Sequence, residues 1–224
     1  LNADVLPSEG LARAVGFYQL ADRLPRGTDS MRLGVFGGAF DPVHTGHLVL
    51  ASECRQQLAL DAVWLVPNGS PPHKDPRGLA DAGTRVEMLE LATAGDPGLV
   101  VSRIEIDRGG VSYTVDTLET IADDDPEREL FLLLGADSVA DLTNWYQPER
   151  ICELARVVAV NRGGTTGETA VIGCQIEEVT IPAIDVSSSD IRRRIRQGRS
   201  IRHLVPRAVE AYVIEHAVYD DNSD

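Results

Sequence analysis

The residues best suited to chemistry in this chain of 224 are 37–47, Gly-Gly-Ala-Phe-Asp-Pro-Val-His-Thr-Gly-His. An apolar run (Leu33, Val35, Phe36) precedes them, and Leu48-Val49-Leu50-Ala51-Ser52-Glu53-Cys54 follows, so the pattern reads strand, glycine turn, helix start. That junction suits a phosphate: Gly37 and Gly38 let the backbone approach an anion, and free N–H groups at a helix N-terminus point towards it. His44 and His47, with Gly46 between them, add imidazole donors for phosphate oxygens. A lone Gly-Gly is only a turn and a lone histidine an ordinary polar residue. The signal lies in their combination.

A second group is Val186-Ser187-Ser188-Ser189-Asp190-Ile191-Arg192, three hydroxyls at a helix start followed by a planar cation that matches phosphate geometry. Serine before a helix is, by itself, a cap. A third, Ser112-Tyr113-Thr114-Val115-Asp116-Thr117-Leu118, places hydroxyls at the positive end of another helix, a favourable seat for a carboxylate. A capping threonine beside a core tyrosine explains the same residues. Asp137 follows an apolar run and Gly135-Ala136; it is either a ligand acceptor or the N-cap of a helix from Ser138. Trp145 and Tyr146 offer faces for a flat ring, with cation–π attraction if the ring is charged, although core packing is the default for tryptophan. Pro71-Pro72-His73-Lys74 is a stiffened loop carrying Lys74, the one lysine among 21 basic residues.

These groups need elements to hold them, and the hydrophobic pattern supplies an alternation. Strands are predicted at 33–36, 62–67, 99–106, 130–134, 156–160 and 178–182, and helices from 48, across 86–93, at 114–122, 188–197 and 205–216. Ala62-Val63-Trp64-Leu65-Val66-Pro67 is apolar throughout, as in a strand buried on both faces. Strands spaced by helices imply right-handed crossovers and an α/β, doubly wound, mostly parallel sheet. Ligands of such sheets bind beyond the carboxyl ends of the strands, where the strand order reverses. Residues 1–30 carry a short amphipathic pattern (Leu11, Ala14, Val15, Tyr18) closed by Leu24-Pro25-Arg26-Gly27, and read as an N-terminal extension. Residues 163–167 read as a flexible turn and 220–224 as an acidic tail.

A formal charge of −14 argues against general binding to nucleic acid or anionic membrane, which requires a basic footprint. No apolar run approaches membrane-spanning length, and no secretory signal is evident. Cys54, Cys152 and Cys174 are scattered and odd in number, which fits reduced thiols and a cytoplasmic location better than a disulfide framework or zinc site.

With Gly-Gly-x-Phe-Asp-Pro-Val-His-x-Gly-His, Tyr-Thr-x-Asp-Thr-Leu and Ser-Ser-Ser-x-Ile-Arg in this order, the chain resembles the nucleotidylyltransferases that carry a His-x-Gly-His signature. Within them it looks most like the nicotinate-nucleotide adenylyltransferases, over about residues 31–219. The resemblance implies a Rossmann-like nucleotidylyltransferase fold with strand order 3-2-1-4-5. It implies transfer of the adenylyl group of ATP to nicotinate mononucleotide, with His44, His47 and Arg192 as catalytic groups. ATP is expected at Gly37, Gly38, Ala39, Phe40, His47, Gly135, Asp137, Ser187, Ser188, Ser189 and Arg192. Nicotinate mononucleotide is expected at Lys74, Tyr113, Thr114, Asp137, Trp145 and Tyr146. Mg²⁺ is expected through the ATP phosphates rather than a protein cage, with no nucleic-acid or membrane partner and with homo-oligomers left open. Ala39 departs from the Thr or Ser of many relatives and removes one hydroxyl; Val186 and Ser189 are milder departures. Pantetheine-phosphate adenylyltransferase, cytidylyltransferase and a non-catalytic nucleotide sensor are the alternatives.

Overall fold

The structure, a computed structural model, describes residues 30–69, 79–162 and 173–220. The leader helix, the Lys74 loop, the 163–167 turn and residues 221–224 of the acidic tail lie outside the described residues. Contacts divide the chain into Leu1–Ser30 and Met31–Asp224, and only the second unit is described below.

Its centre is a six-stranded parallel sheet in the order β3-β2-β1-β4-β5-β6. The strands are β1 (Arg32–Gly38), β2 (Ala62–Pro67), β3 (Leu99–Val101), β4 (Glu129–Gly135), β5 (Arg156–Arg162) and β6 (Ile176–Ile181). The longer helices are α1 (Thr45–Gln57), α2 (Ala82–Thr93), α4 (Thr114–Asp124), α7 (Ser188–Arg196) and α8 (Arg207–Glu215). Three short ones are α3 (Ile104–Arg108), α5 (Ala136–Asp141) and α6 (Pro148–Leu154). The expected doubly wound sheet and its 3-2-1-4-5 order are present, with β6 added beside β5. The central strands are buried on both faces: Phe131, Leu133, Val63 and Leu65 are fully inaccessible. Burying such side chains contributes about 1.5–3 kcal/mol each, which is why continuous apolar runs become central strands.

Two expectations are corrected. Strand β3 ends at Val101, and residues 104–108 are helix α3 rather than more strand. Ile104 and Ile106 alternate as in a strand, but β2 pairs with β3 only over Val63–Leu65. Ser102 N–H closes the ladder on the Leu65 carbonyl, and the chain turns to bury Glu105. Cys152 and Cys174, expected to be separate thiols, are joined as a disulfide with their Cα atoms 4.9 Å apart. The sequence spacing of 22 hides this, because α6 and the approach to β6 meet only once β5 is laid between them. Cys54 is the free cysteine, and burial pushes its thiol up to about 12, leaving it inert as a nucleophile. Among the described residues no helix is long and apolar enough to cross a membrane.

Candidate active site

The two halves of the sheet part at β1 and β4. Their ladder stops at Val35–Leu132, whereas β1 stays paired with β2 to Gly38–Pro67 and β4 with β5 to Gly135–Val160. A crevice therefore opens at the carboxyl ends of the strands, where the strand order reverses. Gly37, Leu132 and Leu134 line a cavity of about 270 Å³ there.

On one side of the crevice lies the turn from β1 to α1. His44 is the N-cap of α1 and is 3% exposed; His47 follows in the first turn, with the rings stacked 3.7 Å apart at 21°. A Cβ at Gly46 would sit 3.1 Å from His44 Nδ1, a tight contact that would press on the first ring. His47 Nδ1 accepts the His44 backbone N–H at 3.2 Å. In neutral His47 the ring proton is thereby assigned to Nε2, which makes that nitrogen the donor. Phe40 is 1% exposed and sets its ring edge-on beneath His47 at 5.0 Å, so its side chain supports the imidazole from below. The helix start offers fewer backbone donors than the sequence suggested. Thr45 N–H is spent on the Leu204 carbonyl at 2.9 Å, and the N–H groups of His47 and Leu48 on the His44 carbonyl. Side chains must carry more of an anion's contacts.

Asp41, fully buried, ties three distant elements to this turn. Arg192 of α7 donates to the Asp41 carbonyl at 2.6 Å and lies 3.2 Å from its carboxylate Oδ2. Tyr219 O–H donates to Asp41 Oδ1 at 2.7 Å, and Ala80 N–H donates to the same oxygen. Burial, then the adjacent Asp41 charge, holds the Tyr219 hydroxyl protonated well above its ordinary range, so this bond persists at any working pH. Ser188 O–H donates to the Pro42 carbonyl, and Ser187 caps α7 by accepting from Asp190 N–H. The expected Ser188 and Arg192 thus meet the histidine turn, whereas Ser187 and Ser189 are exposed and bonded to each other. Arg85, which the sequence did not single out, is 3% exposed and donates to the carbonyls of Ala80, Ala39 and Asn68. It clamps the ends of β1 and β2 together. A buried arginine on an otherwise ordinary helix is not marked by any local pattern.

The other side of the crevice is built by α3, α4 and the segment after α5. Tyr113 is the N-cap residue of α4 and Thr114 its first residue, both on the cavity wall with Trp145 and Tyr146. The Tyr113 and Tyr146 rings are 4.7 Å apart. Tyr146, 52% exposed, is available to a ligand rather than to the core. Asp137 is not a cap: Gly135 occupies that position, and Asp137 sits exposed in the first turn of α5, beyond β4. Three further cavity residues escaped the sequence reading. Glu105, 4% exposed, accepts from Thr117 O–H at 2.9 Å and from Asn68 Nδ2 at 3.3 Å. Thr117 lay inside a quoted motif, but nothing marked Glu105 or Asn68, whose meeting depends on the β2–α3 packing. Gly69 is needed where it is, since a Cβ would meet the Glu105 carbonyl at 2.9 Å. Lys74 lies outside the described residues.

The sequence model of the cytidylyltransferase-like family matches residues 35–194. A "probable nicotinate-nucleotide adenylyltransferase" of Thermus thermophilus is 47% identical over 189 residues, covering 84% of this chain and all of that protein. One of the same name from Bacillus pumilus is 42% identical, covering 84% of this chain and 98% of that protein. Among solved structures, the Plasmodium falciparum nicotinic acid mononucleotide adenylyltransferase complexed with NaAD superposes with a TM-score of 0.75. That match covers 87% of this chain and all of the parasite chain at 19% identity, which is a likeness of fold.

Proposed function

The chain belongs to the nicotinate-nucleotide adenylyltransferases of the cytidylyltransferase-like family, and from that membership we infer its reaction. It is an enzyme that transfers the adenylyl group of ATP to nicotinate mononucleotide, giving nicotinate adenine dinucleotide and pyrophosphate in NAD biosynthesis. The observation that carries this is identity of 47% over the whole length of a relative so named.

The reaction is an in-line displacement. A phosphate oxygen of nicotinate mononucleotide bonds to the α-phosphorus of ATP while the bond from that phosphorus to the bridging oxygen breaks. Pyrophosphate leaves with the electron pair. No covalent enzyme intermediate is needed, so catalysis comes from positioning and charge stabilisation. His47, through Nε2, and His44 face the reacting triphosphate in this reading, and Arg192 with Ser188 and Ser189 holds the departing pyrophosphate. Gly37, Gly38, Ala39 and the Phe40 backbone shape the floor, and Asp137 accepts from ribose hydroxyls. Tyr113 and Thr114 hold the nicotinate carboxylate, Trp145 and Tyr146 stack on the ring, and Lys74 approaches the substrate phosphate.

Among the described residues no group of three or more His, Cys, Asp or Glu could hold a metal ion. The donors beside the turn are imidazoles and a guanidinium, chemistry that suits phosphate oxygens rather than a hard cation. Mg²⁺ is proposed to enter with the ATP phosphates. A cytoplasmic location is proposed because ATP and nicotinate mononucleotide are intracellular.

Pyrophosphate release tests the reading, with ATP or CTP as donor and nicotinate mononucleotide, nicotinamide mononucleotide or phosphopantetheine as acceptor. ATP with nicotinate mononucleotide is expected to be fastest. A faster reaction with phosphopantetheine or with CTP would replace it, and no release with any pair would leave a nucleotide-binding sensor.

A further inference from the structure

A carboxylate buried in a substrate cavity needs a reason, and folding alone does not supply one for Glu105. It is 4% exposed on the cavity wall, and its hydrogen bonds come from two neutral donors, Thr117 O–H and Asn68 Nδ2. Among the described residues no arginine forms an ion pair with it; Arg108 reaches Thr117 Oγ1 at 3.3 Å instead. Thr117 O–H reaches Oε1 and Asn68 Nδ2 reaches Oε2, so each carboxylate oxygen has one neutral donor and, among the described residues, neither has a countercharge bonded to it. Burying a charge beside neutral partners is unfavourable, and two such bonds offset it only in part.

The same wall carries Tyr113, Trp145 and Tyr146. Aromatic faces together with a buried carboxylate make a receptor for a desolvated organic cation. Nicotinate mononucleotide contains one, because its ring nitrogen is quaternised by the ribose. The ring is a zwitterion, with its carboxylate and its positive nitrogen on different atoms. The cavity has a matching division along α4. Thr114 stands at the helix N-terminus, where a carboxylate is favoured, and Thr117, which carries the contact to Glu105, lies one turn further on the same face. Residues so spaced have Cβ atoms about 5–6 Å apart.

We propose that Glu105 is a specificity-determining residue that selects a positively charged pyridinium ring over an uncharged ring of the same shape. This rests on the assignment of nicotinate mononucleotide to the cavity, and it adds a discrimination that hydroxyl and N–H donors cannot make. The enzyme thereby accepts the oxidised, cationic mononucleotide and rejects its neutral 1,4-dihydro form.

The experiment compares kcat and KM for nicotinate mononucleotide and its 1,4-dihydro form in the unmutated enzyme, Glu105→Gln and Glu105→Asp. The Gln variant is expected to lose about tenfold in kcat/KM for the cationic substrate, chiefly through KM, and less than about twofold for the neutral one. The Asp variant, which keeps the charge, should retain most of the preference. Equal losses on both substrates, or full preference in Glu105→Gln, would overturn the proposal. A binding arm on the unmutated protein covers variants that fail to fold and is independent of turnover. Calorimetry with 1-methylpyridinium-3-carboxylate and its neutral-ring counterpart 3-methylbenzoate should show tighter binding of the former, and equal affinity would overturn the proposal. Failure of turnover with retained pyridinium preference would remove the functional reading while leaving the charge selection intact.

Discussion

His47 and Thr114 illustrate how much of this site is decided by the state of single atoms. His47 gives Nδ1 to a backbone N–H, so its Nε2 proton is committed before any nucleotide arrives. Replacing it by alanine should lower kcat by about 10²-fold or more while thermal unfolding stays near that of the unmutated protein. Near-normal turnover of a folded His47→Ala enzyme would take the imidazole out of the mechanism. Thr114 is proposed to act on choice rather than rate. A carboxylate accepts at both oxygens, whereas a carboxamide turns an NH₂ towards some of the same donors, and a mismatched donor costs about 1–3 kcal/mol. The ratio of kcat/KM for nicotinate over nicotinamide mononucleotide should therefore exceed one and shrink in Thr114→Val. Trp145→Ala should weaken both substrates together, since stacking does not read the substituent. Steady-state kinetics on both mononucleotides checks the pair.

At the scale of elements, α6 deserves a test because of what its two ends do. Ile151, fully buried on this helix, lines the cavity at the strand ends, and the adjacent Cys152 is bonded to Cys174 ahead of β6. Closing a loop of 22 residues in the unfolded chain is worth about 3 kcal/mol on the chain-entropy view. Cys174→Ser, or a dithiol reductant, should lower the melting temperature by several degrees, read by differential scanning fluorimetry. An unchanged melting temperature on reduction would show that the cross-link does not contribute to stability. The link also revises the reading of three separate thiols, so the proposed cytoplasmic location rests on the proposed substrates rather than on the cysteines. Helix α3 carries a similar lesson. Its two isoleucines alternate as in a strand, yet the residue the fold buries is the glutamate between them.

For the whole molecule, the division at Ser30 and Met31 is the feature with a direct consequence. The Thermus thermophilus relative is matched along its entire length by 84% of this chain. A chain starting at Met31 should fold, melt and turn over like the full one. A large loss of melting temperature on truncation would show that the leader stabilises the catalytic unit. The acidic balance of −14 is compatible with the proposed phosphate site because the cations assigned to it are placed locally. Arg192 is one, held against buried Asp41 at 3.2 Å.

The sequence alone determined the mostly parallel sheet and the two polar clusters at its carboxyl edge, because those depend on local periodicity and short spacings, while the strand order came with the family resemblance. Apolar runs such as Leu130–Leu134 can be stable only when covered on both faces, and His-x-Gly-His fixes its own geometry within one helical turn. Groups that act across the fold stayed hidden. Glu105 meets Asn68 from 37 residues away and Tyr219 meets Asp41 from 178, and no local pattern encodes such pairs. Arg85 and the Cys152–Cys174 link belong with them. Only packing the crossovers onto the sheet decides which buried charge faces which donor, and in this protein that decision sets the chemistry of the cavity at the strand ends.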